Sequence, residues 1–355
     1  MVVLNIVMAK VWGGGEQYVY DTSKAMANKG VKVYIVVDSS NKVLSKKFSE
    51  VAHVIQCDMY HIAGLKSFFY LKKFIKENKV DIINCHSGHG MFLCLLLKLA
   101  TKCKLVMFKH NAIAGKKDFY HCWQRKHTDA IICVSQLVYD LQVQNIEEDY
   151  KNKFYVVHNG IDLHKFNHTR KRPKGDKFII GYAGRINYNK GIIILLAAFK
   201  ELIKKYPNLL LKIAGQDEKG YWKKVENYIK ENKIENNVEY CGYIDDMSSF
   251  YNEIDVYVLP TIVQEAFGLV LCEAMYSKVP VITTDSGAQK EIISDGVDGY
   301  LVVAGSCKEL ADALESVYLN TDNLASITEQ AYLKVKNNFD VNICVGKLIE
   351  IYNKI

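Results

Sequence analysis

The strongest constraint on the fold is a unit that occurs twice in the 355 residues: an apolar run, a glycine-bearing junction, a helical pattern, then another apolar run. Residues 2–9 are apolar, break at Gly13-Gly14-Gly15 and lead into a helical pattern over 16–28; Gly30 closes it, and residues 31–37 are apolar again. The second copy runs from residues 178–182 through Gly184-Arg185 and Lys190-Gly191 into a helical pattern over 192–206, with residues 209–214 after it. Strand, glycine loop, helix, strand is the opening of a doubly wound parallel sheet, whose strands are covered on both faces and read as unbroken apolar runs. Two such openings in a chain of this length predict two α/β domains.

Further runs fit the same scheme. Residues 80–84, 105–108, 130–134 and 154–157 read as strands of the first half, and 238–240, 254–259 and 279–283 as strands of the second. A glycine-marked turn is expected at Gly296 and Gly299, and helices at 221–232, 310–318 and 324–338. The boundary falls near Val157-His158-Asn159-Gly160-Ile161-Asp162, followed by a polar, basic connector over 167–177 that holds Pro173 and Gly175. The domains are therefore expected at 1–165 and 166–338, with a final helix over 339–355 striped by Leu348, Tyr352 and Ile355.

Composition narrows the setting. No uncharged apolar run approaches the length of a membrane span, and the N-terminus reads as a first strand, without a basic lead or cleavage site. Ten cysteines without a C-x-x-C pair, several inside apolar runs (Cys94, Cys133, Cys272), point to reduced thiols in a cytoplasmic protein. The net charge of +7 is uneven: residues 1–165 carry 23 Lys and Arg against 14 Asp and Glu, the remainder 23 against 25. The basic half could meet an anionic membrane surface or a phosphate-bearing acceptor; a lysine-rich solvated surface explains it equally well. Residues 65–79 set Phe68, Leu71, Phe74 and Ile75 at helical spacing among Lys66, Lys72, Lys73, Lys76 and Lys79. That pattern suits a helix lying on a membrane or one covering a sheet face. No nucleic-acid partner is expected.

Residues 264–278 carry the most chemistry. They follow an apolar run that ends at Pro260 and read as loop, then helix, with Gly268 at the helix start. Free backbone N–H groups at such a start face an anion. Glu265 and Glu273 bracket it, and a carboxylate accepts hydrogen bonds from neighbouring ring hydroxyls. A phosphate flanked by sugars, the outline of a sugar nucleotide, fits this arrangement. Arg185 and Lys190 beside the other helix start can neutralise a diphosphate. Glu265 could instead merely favour the helix dipole and Glu273 sit on a solvated face.

Other signals are weaker. Gly13, Gly15 and Asp38 mimic a dinucleotide fingerprint, but Tyr18 stands where close helix packing requires the third glycine. His86, His89, His110, His121 and His127 match no metal spacing on one helix. His110 lies just past a buried strand, where open parallel sheets put ligand-binding residues. Asp245-Asp246 fall in a loop reading, and no metal is expected.

Taken together, Gly13-Gly14-Gly15 after the first strand, His158-Asn159-Gly160-Ile161-Asp162, Gly184-Arg185 with Lys190-Gly191, and Glu265 with Glu273 resemble, in order and spacing, a family 4 retaining glycosyltransferase of the GT-B architecture. The resemblance covers nearly the whole chain. It implies two Rossmann-like domains facing a cleft, a final helix crossing back to the first domain, and a nucleoside-diphosphate sugar as donor, with no cofactor or metal. Arg185 and Lys190 would hold the diphosphate, Glu265 the donor sugar beside the backbone of Phe267, Gly268 and Leu269, and Glu273 the ribose. Gly14 and Gly15 would approach the phosphate, and His110 resembles the histidine placed beside the donor sugar. The acceptor would be a sugar, a lipid-linked precursor or a polysaccharide, in cell-surface polysaccharide or glycolipid synthesis. Ala288 departs from the pattern, since a second glycine often follows the position of Gly287 ahead of the acid matched by Glu291. A sugar-nucleotide epimerase, an NAD-dependent oxidoreductase and a non-catalytic nucleotide-sugar binder are the competing readings.

Overall fold

The computed structural model describes residues 1–59, 64–144, 146, 148–166, 177–320 and 324–355; most of the expected connector, 167–176 with Pro173 and Gly175, lies outside them. The chain divides into two compact units, Met1–Ile161 with Val341–Ile355, and Asp162–Asp340.

In unit 1, β1 (Val2–Val7), α1 (Gly14–Asn28) and β2 (Lys32–Asp38) form the opening read from the sequence. The short helix α2 (Lys42–Phe48) and β3 (His53–Cys57) follow, two elements the apolar pattern does not announce. β3 is an edge strand whose burial alternates, so it carries His53 and Gln56 and lacks an apolar run. Next come α3 (Gly64–Glu77), β4 (Ile82–Cys85), α4 (Met91–Ala100), β5 (Lys104–Lys109), α5 (Phe119–His127), β6 (Ala130–Cys133), α6 (Gln136–Val143), α7 (Glu148–Lys151) and β7 (Phe154–Val156). All seven strands pair in parallel, in the order β3-β2-β1-β4-β5-β6-β7.

Unit 2 repeats the logic with β8 (Phe178–Ala183), α8 (Ile192–Ile203), β9 (Leu209–Ala214), α9 (Trp222–Glu231), β10 (Val238–Gly242), α10 (Met247–Glu253), β11 (Val256–Leu259), α11 (Leu269–Tyr276), β12 (Val281–Thr284), α12 (Gln289–Ile292), β13 (Tyr300–Val302), α13 (Cys307–Leu319) and α14 (Leu324–Asn338). Its six parallel strands run β10-β9-β8-β11-β12-β13. Where the sequence predicts only a glycine-marked turn, β13 forms after Gly299. Asp245-Asp246 do precede a helix as a loop, and Asp246 caps α10 by accepting from the amides of Ser248 and Ser249.

The last helix, α15 (Val341–Lys354), belongs to unit 1 and packs against α1. Its buried positions, Val341, Cys344, Val345, Leu348, Ile351 and Tyr352, recur at three- and four-residue steps and make one apolar stripe. They join the core that holds Tyr18, Val19 and Met26 of α1 and the inner residues of β1 and β2. Leu348 is 1 % exposed, whereas Leu333 on α14 is 44 % exposed. Leu348→Ala should therefore lower the unfolding free energy by roughly 2–5 kcal/mol in denaturant titration, with Leu333→Ala changing it by less than about 0.5 kcal/mol.

Candidate active site

An open parallel sheet binds ligands outside the carboxyl ends of its strands, where the strand order reverses. In unit 2 that point lies between the paired strands β8 and β11. After β8 the chain passes Arg185 and makes one 3-10 turn, Tyr188–Lys190, capped by the Asn187 side chain, which accepts from the Lys190 amide at 3.2 Å. Gly191 then takes φ 69°, and a Cβ on it would stand 2.0 Å from the Pro260 carbonyl oxygen, in the loop after β11. Only glycine lets the two loops come this close.

The close approach brings two of the sequence candidates into contact. Lys190 Nζ is ion-paired with Glu265 Oε2, the side chains being only 16 % and 20 % exposed. The Thr261 hydroxyl donates to the same carboxylate oxygen at 3.4 Å. The backbone of Glu265 is fixed as well: its carbonyl accepts from the Ala288 amide at 2.9 Å. A Cβ on Gly287 would lie 2.4 Å from the Glu265 nitrogen, so this neighbour too must be glycine. Ala288 itself sits at φ −70°, an ordinary helical value, so the missing second glycine leaves the loop unstrained.

Arg185 lies further out. Its Nη1 is 3.8 Å from Glu218 Oε2 and its side chain is 59 % exposed, while Asn187 Nδ2 donates to the same Glu218 oxygen at 2.6 Å. Gly268 precedes α11, and Leu269 is its first residue. The Phe267 ring is buried against Phe339. Glu273, one turn into α11, accepts from the Tyr251 hydroxyl at 2.9 Å.

Beneath these residues lie three buried tyrosines that charge and glycine patterns do not mark. Tyr182 donates to the Arg185 carbonyl at 2.9 Å, Tyr257 to the Ala183 carbonyl at 2.7 Å, and Tyr251 to Glu273. Burial raises all three phenols well above their ordinary range, and Glu265 or Glu273 close by raises them further. They therefore stay protonated and act as fixed donors. The one signal in the sequence is that Tyr182 and Tyr257 occupy inward positions of otherwise aliphatic strands.

In unit 1 the glycine run leads into α1, which begins at Gly14 and Gly15, the Gln17 amide donating to Gly13 at 2.9 Å. His110 is the first residue past β5, and the Tyr18 ring packs on it at 5.2 Å between centroids. Tyr18, at the position of the fingerprint's third glycine, is thus buried against His110 and Phe108. Burial pushes the His110 imidazolium down to about 4, so the ring is neutral near pH 7. Its Nε2 lies 3.1 Å from Nδ1 of His86, which the sequence shows only as one of five histidines.

Residues 12–165 match the family model for Glycosyltransferase Family 4, and residues 164–334 that for Glycosyl transferases group 1. Among curated proteins, the capsular polysaccharide biosynthesis glycosyltransferase CapM of Staphylococcus aureus is 28% identical, covering 92% of this chain and 91% of that protein. The phosphatidyl-myo-inositol mannosyltransferase of Mycolicibacterium smegmatis is 24% identical over 80% of this chain and 74% of its own. Among solved structures, a Rickettsia africae glycosyltransferase superposes with a TM-score of 0.87 at 22% identity, covering 99% and 98% of the two chains. Anabaena Alr3699/HepE in complex with UDP-glucose gives 0.85 at 19% identity, both chains covered completely. With two parallel-sheet Rossmann-like units and the two family models together spanning residues 12–334, this chain belongs to the family 4 glycosyltransferases of the GT-B architecture.

Proposed function

We propose that the protein transfers a hexosyl group from a nucleoside-diphosphate sugar to an acceptor hydroxyl, with retention at the anomeric carbon. The observation that supports this most is the Lys190–Glu265 pair at the strand-order reversal of unit 2. In the reaction the anomeric C–O bond to the diphosphate breaks and its electron pair stays on the departing phosphate oxygen. The acceptor oxygen bonds to the same carbon from the same face, and its proton passes to that phosphate oxygen. Lys190 and Arg185 stabilise the departing charge without a metal. Glu265 receives hydroxyls of the transferred sugar, Glu273 those of the ribose, and the backbone N–H groups of Phe267, Gly268 and Leu269 take a phosphate oxygen. For unit 1, the role proposed for the Gly14 and Gly15 backbone is toward a phosphate and that for His110 toward a sugar hydroxyl.

The acceptor we propose is a lipid-linked or polysaccharide precursor at the cytoplasmic face of a membrane. Supporting it are the names of the relatives above, which refer to capsular polysaccharide biosynthesis and to phosphatidyl-myo-inositol, and the outer face of α3. The stripe through Leu71 and Ile75 is buried, but Leu65, Phe69 and Tyr70 stay 62 %, 60 % and 53 % exposed among the lysines. Among the described residues no helix is long and apolar enough to cross a membrane, so this contact would be peripheral.

Two measurements test the proposal. UDP, GDP, ADP and CMP are screened for thermal stabilisation; one diphosphate should raise the melting temperature, and Lys190→Ala should weaken its binding roughly 10- to 150-fold, the worth of a charged hydrogen bond. No stabilisation by any of them overturns the donor assignment. Cosedimentation with anionic vesicles should be lost when Lys72, Lys73 and Lys76 are replaced by Gln; failure of the intact protein to bind such vesicles overturns the membrane contact.

A further inference from the structure

Two asparagines stand in the middle of otherwise apolar strands of unit 1, Asn5 on β1 and Asn84 on β4, directly opposite each other in register and 3 % and 1 % exposed. A buried amide is costly unless its groups are matched, and here they are matched to one another. Asn84 Nδ2 donates to Asn5 Oδ1 at 2.9 Å, and the Asn84 amide is in turn held by the Tyr352 hydroxyl of α15, 2.8 Å from Nδ2 and 3.1 Å from Oδ1. Asn5 Nδ2 donates to Ser23 Oγ at 3.1 Å. His86 Nε2 is 3.1 Å from Asn5 Oδ1, and its Nδ1 is 3.1 Å from His110 Nε2.

The order of protons along this chain is fixed by its chemistry. Asn5 Oδ1 has no hydrogen, so the hydrogen between it and His86 sits on His86 Nε2. His86 is desolvated and neutral, its imidazolium pushed well below the ordinary range by burial and by His110. Its Nδ1 is then a bare acceptor, and His110 Nε2 must donate to it. His86 is clamped in plane by Phe108, stacked at 4.4 Å. Among the described residues, His110 Nδ1 has no hydrogen-bond partner.

We propose that Tyr352, Asn84, Asn5 and His86 form a positioning relay that locks His110 as its Nε2–H tautomer and leaves Nδ1 as an acceptor for a substrate hydroxyl. The relay starts on α15, so the final helix of the chain sets the hydrogen-bonding character of a residue at the end of β5. None of the four touches substrate; each acts through His110. The use of the free Nδ1 rests on the reading of His110 given above, but the tautomer itself does not.

The test is a long-range proton–nitrogen correlation spectrum of the 15N-histidine-labelled full chain near pH 7, without ligand. Both His86 and His110 should show the Nε2–H tautomer. Reversing both asparagine amides would reverse the proton order and give Nδ1–H on both rings, so that result, a mixture at His110, or a charged ring overturns the relay. His86→Phe, which keeps a flat ring on Phe108, should release His110 into a tautomer mixture and lower kcat by roughly 2- to 12-fold, the worth of one hydrogen bond between neutral groups, with KM little changed. His86→Gln, which offers one donor and one acceptor, should restore both. If His86→Phe fails to fold, the spectrum of the unsubstituted protein still decides. If the tautomers are as stated but His86→Phe transfers sugar at the normal rate, the relay stands and the role of His110 toward the sugar falls.

Discussion

An ion pair between Lys190 and Glu265, four-fifths withdrawn from water, is the contact on which the site of unit 2 depends. Desolvating two charges is expensive, and a protein recovers the cost only through close geometry and supporting hydrogen bonds. The supports are all here: Thr261 on the carboxylate, Ala288 on the Glu265 carbonyl, Asn187 on the Lys190 amide, and two glycines where a side chain would hold the loops apart. A pair held this way is neutral as a unit. In the function proposed above the lysine shares its charge with the diphosphate and the carboxylate accepts hydroxyls, both from loops that the pair already holds in place.

The buried tyrosines extend this principle. A phenol with its pKa raised by burial is a donor that does not ionise, and Tyr182, Tyr251 and Tyr257 spend their single hydrogens on the loop backbone and on Glu273. Unit 1 uses a different device for the same end. There a row of amides and imidazoles, anchored on the last helix, gives His110 a defined face in place of a freely titrating ring.

The architecture is legible in the sequence because parallel strands covered on both faces must be apolar runs, and helices that cover them must be striped. Elements outside that rule escape it: β3 and β13 are edge strands, short and partly exposed, and α2 is too short for a stripe. In the basic helix α3 the helical spacing marks Phe68, Leu71, Phe74 and Ile75, of which Leu71 and Ile75 face the core, while the exposed apolar side chains are Leu65, Phe69 and Tyr70. Charged candidates stand out because Arg185, Lys190, Glu265 and Glu273 lie next to, or a few residues from, glycines at strand ends and helix starts. Groups that work by being neutral and buried, Tyr182, Tyr257, Asn5, Asn84 and His86, carry no such marker. They are visible only as polar residues inside apolar strands, or just past one in the case of His86, and the partner that justifies each lies far away in sequence, Tyr352 being 268 positions from Asn84.

In the proposed function the cations at the β8–β11 junction hold the phosphate nearest the sugar. Calorimetric affinities of the nucleoside diphosphate and the matching monophosphate, on the unmodified protein at one salt concentration, test it most directly. Removing the terminal phosphate should weaken binding by about tenfold or more, the worth of one charged hydrogen bond. Equal affinity for the two would contradict it.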